Sequence, residues 1–167
     1  MNQLKYGIGF FAAILACLAI TSAHAVERGK LPFATDLSLD AKLAREKQIP
    51  ILILFSMQGC GYCKRVREEI LIPTTLNADY DNKVILLEVD SSNYAKLIDF
   101  EGKVTTQAAF VAKNRVGLSP TVKFFDPQGH EVADPIVGLV TVDYYGGYLD
   151  QAIDTSIAKI RRATTTH

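Results

Sequence analysis

Four stretches of the 167-residue chain carry the apolar pattern of β-strands. Residues 49–55 and 84–90 are almost uniformly apolar, which is typical of strands that are buried on both faces of a sheet. Residues 122–126 form a shorter apolar run, and residues 131–139 predict an edge strand that is interrupted by Pro135. The pattern therefore predicts three inner strands followed by one at an edge.

Apolar residues at helical spacing lie between and after these strands. They predict four helices, at residues 38–47, 61–71, 105–115 and 141–162. Pro73 is expected to kink or end the second helix, because proline lacks a backbone N–H. The order of elements is helix, strand, helix, strand, helix, strand, strand, helix, which predicts an α/β layer fold with a mixed sheet.

The first 25 residues have the pattern of an export signal. Lys5 supplies a positive flank, an apolar stretch follows at residues 7–20, and Ala23-His24-Ala25 is a small-x-small cleavage site. We therefore predict cleavage after Ala25 and a periplasmic location. An uncleaved membrane anchor and a lipoprotein attached at Cys17 are alternatives, although Cys17 lies inside the apolar core of the signal.

Beyond residues 1–25 the pattern indicates one domain. We expect an extended lead-in at residues 26–36, the domain itself at residues 37–162 and a flexible tail at residues 163–167. The chain has 18 Lys and Arg residues against 18 Asp and Glu residues, so its formal net charge is zero. This balance gives no electrostatic basis for binding nucleic acid, and we expect a monomer that does not bind it.

The candidate chemistry lies in Cys60 and Cys63, which are three positions apart between the first predicted strand and the second predicted helix. Removal of the export signal would also remove Cys17 and leave these two as the only cysteines. A purely structural disulfide between them would stabilise the fold little, because the loop that it closes is so short.

Metal binding is a second interpretation of the two cysteines. A zinc site needs four ligands, and the mature chain adds only His130 and His167. Copper fits better, because two thiolates can hold Cu(I) and Met57 is nearby. A thiol module that binds Cu(I) or a partner therefore remains an alternative.

A redox-active pair accounts for the surrounding residues best. A cysteine at a helix start lies beside unpaired backbone N–H groups and the positive end of the helix dipole, which favours the thiolate. Positive charge nearby comes from Lys64, Arg65 and Arg67. Glu68 and Glu69 offset part of this positive charge, because they can pair with Lys64 and Arg65. We predict that Cys60 attacks and that Cys63, one turn deeper, resolves.

Taken together, these features resemble the thioredoxin superfamily over about residues 37–160. The resemblance is carried by Cys60-Gly61-Tyr62-Cys63 at a helix start, by the apolar strand that ends in Asp90, and by Ser119-Pro120-Thr121 before the third strand. It implies a thioredoxin fold, a central mixed sheet flanked by helices, and thiol-disulfide oxidoreductase activity without a metal or organic cofactor.

The same resemblance implies a substrate-binding surface. Pro120 would be a cis-proline that faces the disulfide, and Ser119 would offer its backbone to an incoming peptide. Gly61 and Tyr62, between the cysteines, would complete the surface. The tetrapeptide Cys-Gly-Tyr-Cys is similar to that of periplasmic disulfide isomerases, and the chain has no Trp.

The chain also departs from thioredoxins. Leu54 and Leu86 stand where thioredoxins have a buried Asp and its Lys partner. Glu88 could substitute for these polar groups, or it could be a solvated carboxylate at a strand end. Residues 91–115 are longer than the matching connection of a minimal thioredoxin, which predicts an added helical segment before the cis-proline loop.

These observations predict an exported enzyme that exchanges disulfides with protein substrates. We favour net reduction of substrate disulfides, with oxidation or isomerisation of envelope disulfides as alternatives. Electrons would pass through a mixed disulfide, and a membrane-bound reductase could supply them.

Overall fold

The computed structural model describes residues 28–139 and 141–165. The export signal predicted at residues 1–25 lies outside this part of the chain, as does the beginning of the lead-in. The predicted tail is described only as far as Thr165, which still belongs to the last helix.

A mixed sheet forms the centre of the fold. The described residues contain six strands: β1 (Ile51–Ser56), β2 (Ile85–Asp90), β3 (Lys96–Ile98), β4 (Val104–Thr106), β5 (Thr121–Phe125) and β6 (Ile136–Val137). The central sheet has the order β2-β1-β5-β6. Strand β1 is parallel to β2 and antiparallel to β5, and β6 is antiparallel to β5. The three apolar runs are thus neighbours in one sheet. The predicted edge strand is interrupted at Pro135, because Glu131 forms only an isolated bridge with Phe125 and β6 follows the proline.

Helices cover both faces of this sheet. The described α-helices are α1 (Leu37–Lys47), α2 (Gly61–Arg65), α3 (Ile72–Leu76), α4 (Gln107–Lys113) and α5 (Val142–Thr165). Alternate residues of β1 pack into two cores, one with α1 and α4 and the other with α5 and the helical backbone that follows the cysteines. This explains why β1 is apolar at nearly every position. None of the helices in the described residues is both long and apolar enough to cross a membrane.

The sequence pattern predicted that the second helix ends at Leu71, but the helical backbone continues beyond this residue. After α2 it continues through a π-helical turn at Val66–Leu71 into α3, and Pro73 lies inside α3. The N–H of Ile72 bonds to the carbonyl of Arg67, five residues back rather than four. A wider turn makes room for the proline ring, which would clash with a carbonyl in a regular α-helix. The helical segment therefore reaches Leu76.

Residues 91–115 contain a hairpin as well as a helix. Helix α4 supplies the predicted helical segment, and the antiparallel pair β3–β4 comes before it. The carboxylate of Asp99 stabilises the hairpin turn, because it accepts hydrogen bonds from the N–H groups of Glu101 and Lys103 at 3.0 and 2.9 Å. Leu97 of β3 is buried in the core with α1 and α4. The sequence did not predict this hairpin, since such short strands show no clear alternation.

The lead-in extends the sheet beyond β2. Phe33 forms a parallel bridge with Glu88. The N–H of Glu88 donates to the carbonyl of Pro32, and its carbonyl accepts from the N–H of Ala34, both at 2.8 Å. The backbone of Glu88 is thus fixed on the outer edge of β2.

Candidate active site

The two cysteines lie where β1 passes into α2. Gly59 has a φ of 76°, a left-handed conformation that residues with a side chain adopt only with strain. Cys60 then takes the N-cap position, and its sulfur accepts a hydrogen bond from the N–H of Cys63 at 3.1 Å. A serine or aspartate oxygen commonly plays this capping role. The cysteine sulfur therefore interacts directly with a backbone donor at the helix start.

Cys60 and Cys63 form a disulfide, with their Cα atoms 5.3 Å apart. The two residues differ in exposure, because Cys63 is only 1% exposed whereas Cys60 is half-buried. A thiol that approaches from solution meets the sulfur of Cys60 first. The predicted division of roles, in which Cys60 attacks and Cys63 resolves, requires one accessible sulfur and one covered sulfur.

Ser119 and Pro120 lie beside the disulfide. The carbonyl oxygen of Ser119 is 3.8 Å from the sulfur of Cys60, and the Ser119–Pro120 peptide bond is cis. Pro120 is buried, and its carbonyl accepts a hydrogen bond from the N–H of Gly138 at 2.7 Å. The fold thus brings together two segments that are far apart in the sequence.

Exposed apolar side chains flank these two segments. Tyr62 follows Cys60 in α2 and is 62% exposed, and Gly61 beside it is exposed as well. Met57 precedes Cys60 and Leu118 precedes Ser119, and both are exposed. The surface around the disulfide therefore includes exposed apolar side chains.

A second loop supports the cysteine loop, and the sequence analysis did not identify it. The N–H of Gln58 donates to the hydroxyl of Ser92 at 3.2 Å, and the N–H of Ser92 donates to the carboxylate of Asp90 at 2.7 Å. The side chain of Gln107 accepts from the N–H of Asp90 at 2.9 Å. The run Asp90-Ser91-Ser92-Asn93 indicates a turn. Only the folded chain shows which loop that turn contacts.

The two positions where thioredoxins have a buried Asp and its Lys partner are apolar in this chain, and a buried carboxylate lies nearby on β2. Leu54 and Leu86 are both buried in the core on the face that α5 covers, so no carboxylate occupies either position. Glu88 is 1% exposed and therefore not solvated, contrary to one of the two sequence interpretations. Its carboxylate accepts two hydrogen bonds from Arg67, one of them from Nε at 2.7 Å. These bonds raise the pKa of Arg67 above its usual value.

Two further ion pairs near the cysteines lie on the helix surface. Lys64 pairs with Glu68 at 3.9 Å, and Arg65 pairs with Glu69 at 2.9 Å, as the spacing in the sequence predicts. A shallow depression of about 370 Å³ surrounds Cys60 and is lined by Lys64, Glu68, Arg67 and Asp90 among others. Both signs of charge are therefore present at its rim.

A larger groove, of about 580 Å³, lies between α1 and α3. It contains neither cysteine and neither residue of the Ser119–Pro120 loop. Although this groove is larger than the depression around Cys60, it is not the candidate active site, because it lacks the two cysteines.

A family comparison agrees with this geometry. The family model described as a thioredoxin-like domain matches residues 37–153. The chain belongs to this thioredoxin-like family. Its disulfide-capable cysteine pair and the family match together support thiol-disulfide oxidoreductase chemistry. No sequence match was found among functionally curated proteins.

Solved structures of thioredoxins resemble the fold of this thioredoxin-like chain. A thioredoxin from Malassezia sympodialis is 18% identical, with a TM-score of 0.51 over 81% of this chain and 98% of its own. Thioredoxin f from spinach chloroplast is 17% identical, with a TM-score of 0.52 over 77% and 88%. A mutant thioredoxin from Halobacterium salinarum is 15% identical, with a TM-score of 0.50 over 76% and 94%. At these identities the likeness shows the fold alone.

Proposed function

We propose that this thioredoxin-like protein is an exported enzyme that reduces disulfides of protein substrates. The observation that carries the proposal is the disulfide at the start of α2, where half-buried Cys60 lies 3.8 Å from the carbonyl of Ser119. This geometry leaves one sulfur accessible beside a backbone acceptor, while the other sulfur is covered.

The exchange would proceed through a mixed disulfide. The thiolate of reduced Cys60 attacks one sulfur of the substrate disulfide, which forms the mixed disulfide and releases the other substrate sulfur as a thiolate. The thiolate of Cys63 then attacks the sulfur of Cys60. This step forms the Cys60–Cys63 disulfide and releases the second substrate thiolate, so that two electrons pass from the cysteine pair to the substrate.

Tyr62 and the backbone of Ser119 would hold the substrate chain in an extended form during this exchange. Gly61 and Pro120 shape the same surface. A dithiol donor, for which we propose a membrane-bound reductase, would then reduce the Cys60–Cys63 disulfide by the reverse sequence of attacks. We propose that the protein acts as a monomer.

Insulin reduction in the presence of dithiothreitol tests the activity. The native chain should accelerate it, and Cys60→Ser should abolish the acceleration. When reduced Cys63→Ser is mixed with insulin without dithiothreitol, it should instead accumulate mixed disulfides through Cys60, which run as larger species on a non-reducing gel and disappear when dithiothreitol is added. A native chain that leaves insulin intact, or a Cys63→Ser protein that traps nothing while the native chain is active, would contradict the proposal.

The direction of electron flow needs a separate measurement, namely the reduction potential in glutathione buffers. A reductase should lie near the thioredoxin value of about −270 mV. A potential near the value of about −120 mV that is typical of a strong disulfide oxidant would instead favour oxidation. A value near −180 mV, roughly that of an isomerase, would favour isomerisation.

Export is also part of the proposal, and the Ala23-His24-Ala25 site supports it. Mass spectrometry of protein recovered from the periplasm should find Val26 at the N-terminus. A chain that retains Met1, or one that carries a lipid on Cys17, would contradict cleavage at this site.

A further inference from the structure

A partly buried ion pair joins β2 to the helical segment that follows the cysteines. Glu88 is on β2, and both of its carboxylate oxygens accept hydrogen bonds from the guanidinium of Arg67. The side chain of Glu88 is 1% exposed and that of Arg67 is 29% exposed. The two charges therefore lie at different depths, and the positive charge is the one closer to solvent.

The position of this pair follows from the sheet register. Glu88 is opposite Leu54 in the β1–β2 ladder, and Leu54 packs into the core beneath the helical segment that carries the cysteines. Paired residues of a ladder share a face, so Glu88 points toward the same helical segment. Arg67, in the π-helical turn of that segment, lines the depression around Cys60, whereas Glu88 does not.

Of the other described charged groups that line the depression around Cys60, one is positive and two are negative. Lys64 is exposed and pairs with Glu68, which also lines the depression. Asp90 lines it from the end of β2 and adds a negative charge. Tyr62 is exposed, and the Ser119 loop contributes a carbonyl oxygen. Of the two described cations that line the depression, Arg67 is the one whose partner, Glu88, is buried, and this partner fixes the orientation of Arg67.

From this arrangement we infer that Arg67 is a positioning residue for thiol exchange. Glu88 fixes Arg67 beside Cys60, and the positive charge of Arg67 favours the thiolate of that cysteine. The inference rests on the proposed function, because only a thiol that exchanges needs to be held as a thiolate. A fixed charge acts more strongly than a mobile surface charge, since solvent screens it less and it loses no side-chain entropy when the thiolate forms. Glu88 has two effects, because it orients Arg67 and also opposes its charge.

The test is the pH dependence of iodoacetamide modification of reduced Cys60, followed by peptide mass spectrometry. Arg67→Met should raise the midpoint of this profile by roughly half a pH unit or more, as expected for loss of a nearby unit charge at a partly exposed site. Arg67→Lys, which keeps the charge, should restore most of the native midpoint. Glu88→Gln should lower the midpoint, because the amide oxygen can still accept a hydrogen bond from Arg67 and hold it in place, while the opposing negative charge is removed.

Arg65→Met is the matched control. It removes the same charge from the same helical segment, but Arg65 pairs with Glu69 and does not line the depression. Its midpoint should equal that of the native chain. A structural role alone would make both Arg67→Met and Glu88→Gln less stable to urea without shifting the Cys60 profile in opposite directions.

The opposite signs of the two shifts decide the inference. Shifts of the same sign, or no shift in either variant, would overturn it. If Arg67→Met does not fold, Glu88→Gln alone is decisive, because a midpoint at or above the native one contradicts the inference. Failure of the proposed function is a separate result: the native chain would not reduce insulin, whatever the Cys60 profiles of the variants.

Discussion

Phe55→Ala is expected to destabilise the fold strongly while leaving the sulfur chemistry of the folded protein intact. Phe55 is fully buried in β1, one residue before the strand ends. Its ring is stacked on that of Phe110, with centroids 6.1 Å apart, and lies 6.3 Å from that of Phe125. These contacts are in the core with α1 and α4, on the opposite face of the sheet from the cysteine-bearing helical segment.

The magnitude follows from this packing. Removing a buried phenylalanine side chain costs about 3–5 kcal/mol, and the cost is highest where the cavity cannot collapse. Phe110 and Phe125 are themselves buried on other elements, and β1 is held by neighbours on both sides. We therefore expect a loss of about 4 kcal/mol, which is a large part of the roughly 5–15 kcal/mol that stabilises a typical domain.

Urea unfolding of the oxidised protein, followed by circular dichroism, measures the loss. Tyr94→Ala is the control, because Tyr94 is 78% exposed and its replacement should change the free energy of unfolding by less than about 0.5 kcal/mol. Insulin reduction per folded molecule should be unchanged in Phe55→Ala. The packing argument would be refuted if the free energy of unfolding fell by less than about 1 kcal/mol while its slope against urea concentration stayed unchanged.

Three other measurements test the site and its surroundings. Iodoacetamide should modify Cys60 before the buried Cys63, with a midpoint below the roughly 8.5 of a free thiol, and faster modification of Cys63 would reverse the assigned roles. Ser56→Ala should leave the free energy of unfolding in urea unchanged or raise it by up to about 1 kcal/mol, because the buried Ser56 hydroxyl has no hydrogen-bond partner among the described residues. A decrease in the free energy of unfolding of more than about 1 kcal/mol would contradict this expectation. A hydrogen bond to Asp150 is the main cause that raises the pKa of Tyr80 to about 12, so Asp150→Asn should bring its ultraviolet titration back toward 10.0. Because the folded pKa exceeds the unfolded one, the stability linked to Tyr80 is complete below pH 10 and is lost as the pH rises toward 12.

Local patterns in the sequence predicted most of the fold. The inner strands were recognisable because each buries both faces, and α5 because one face of it packs on the sheet. The helix around Pro73 was predicted too short, since a π-helical turn depends on how the helix packs and gives no sequence signal. The β3–β4 hairpin was missed because each of its strands spans only three residues.

The sequence by itself determined the chemistry of this protein: two cysteines at a helix start, with their spacing, their capping geometry and the charges that follow them on the helix. These are properties of neighbouring residues, and short-range geometry is enough to establish them. Only the tertiary structure decided that Ser119 reaches Cys60, that Ser92 supports the cysteine loop and that Arg67 pairs with a buried Glu88. Each of these contacts joins residues more than 20 positions apart, and the strand register and helix packing that create them arise only when the whole sheet has formed.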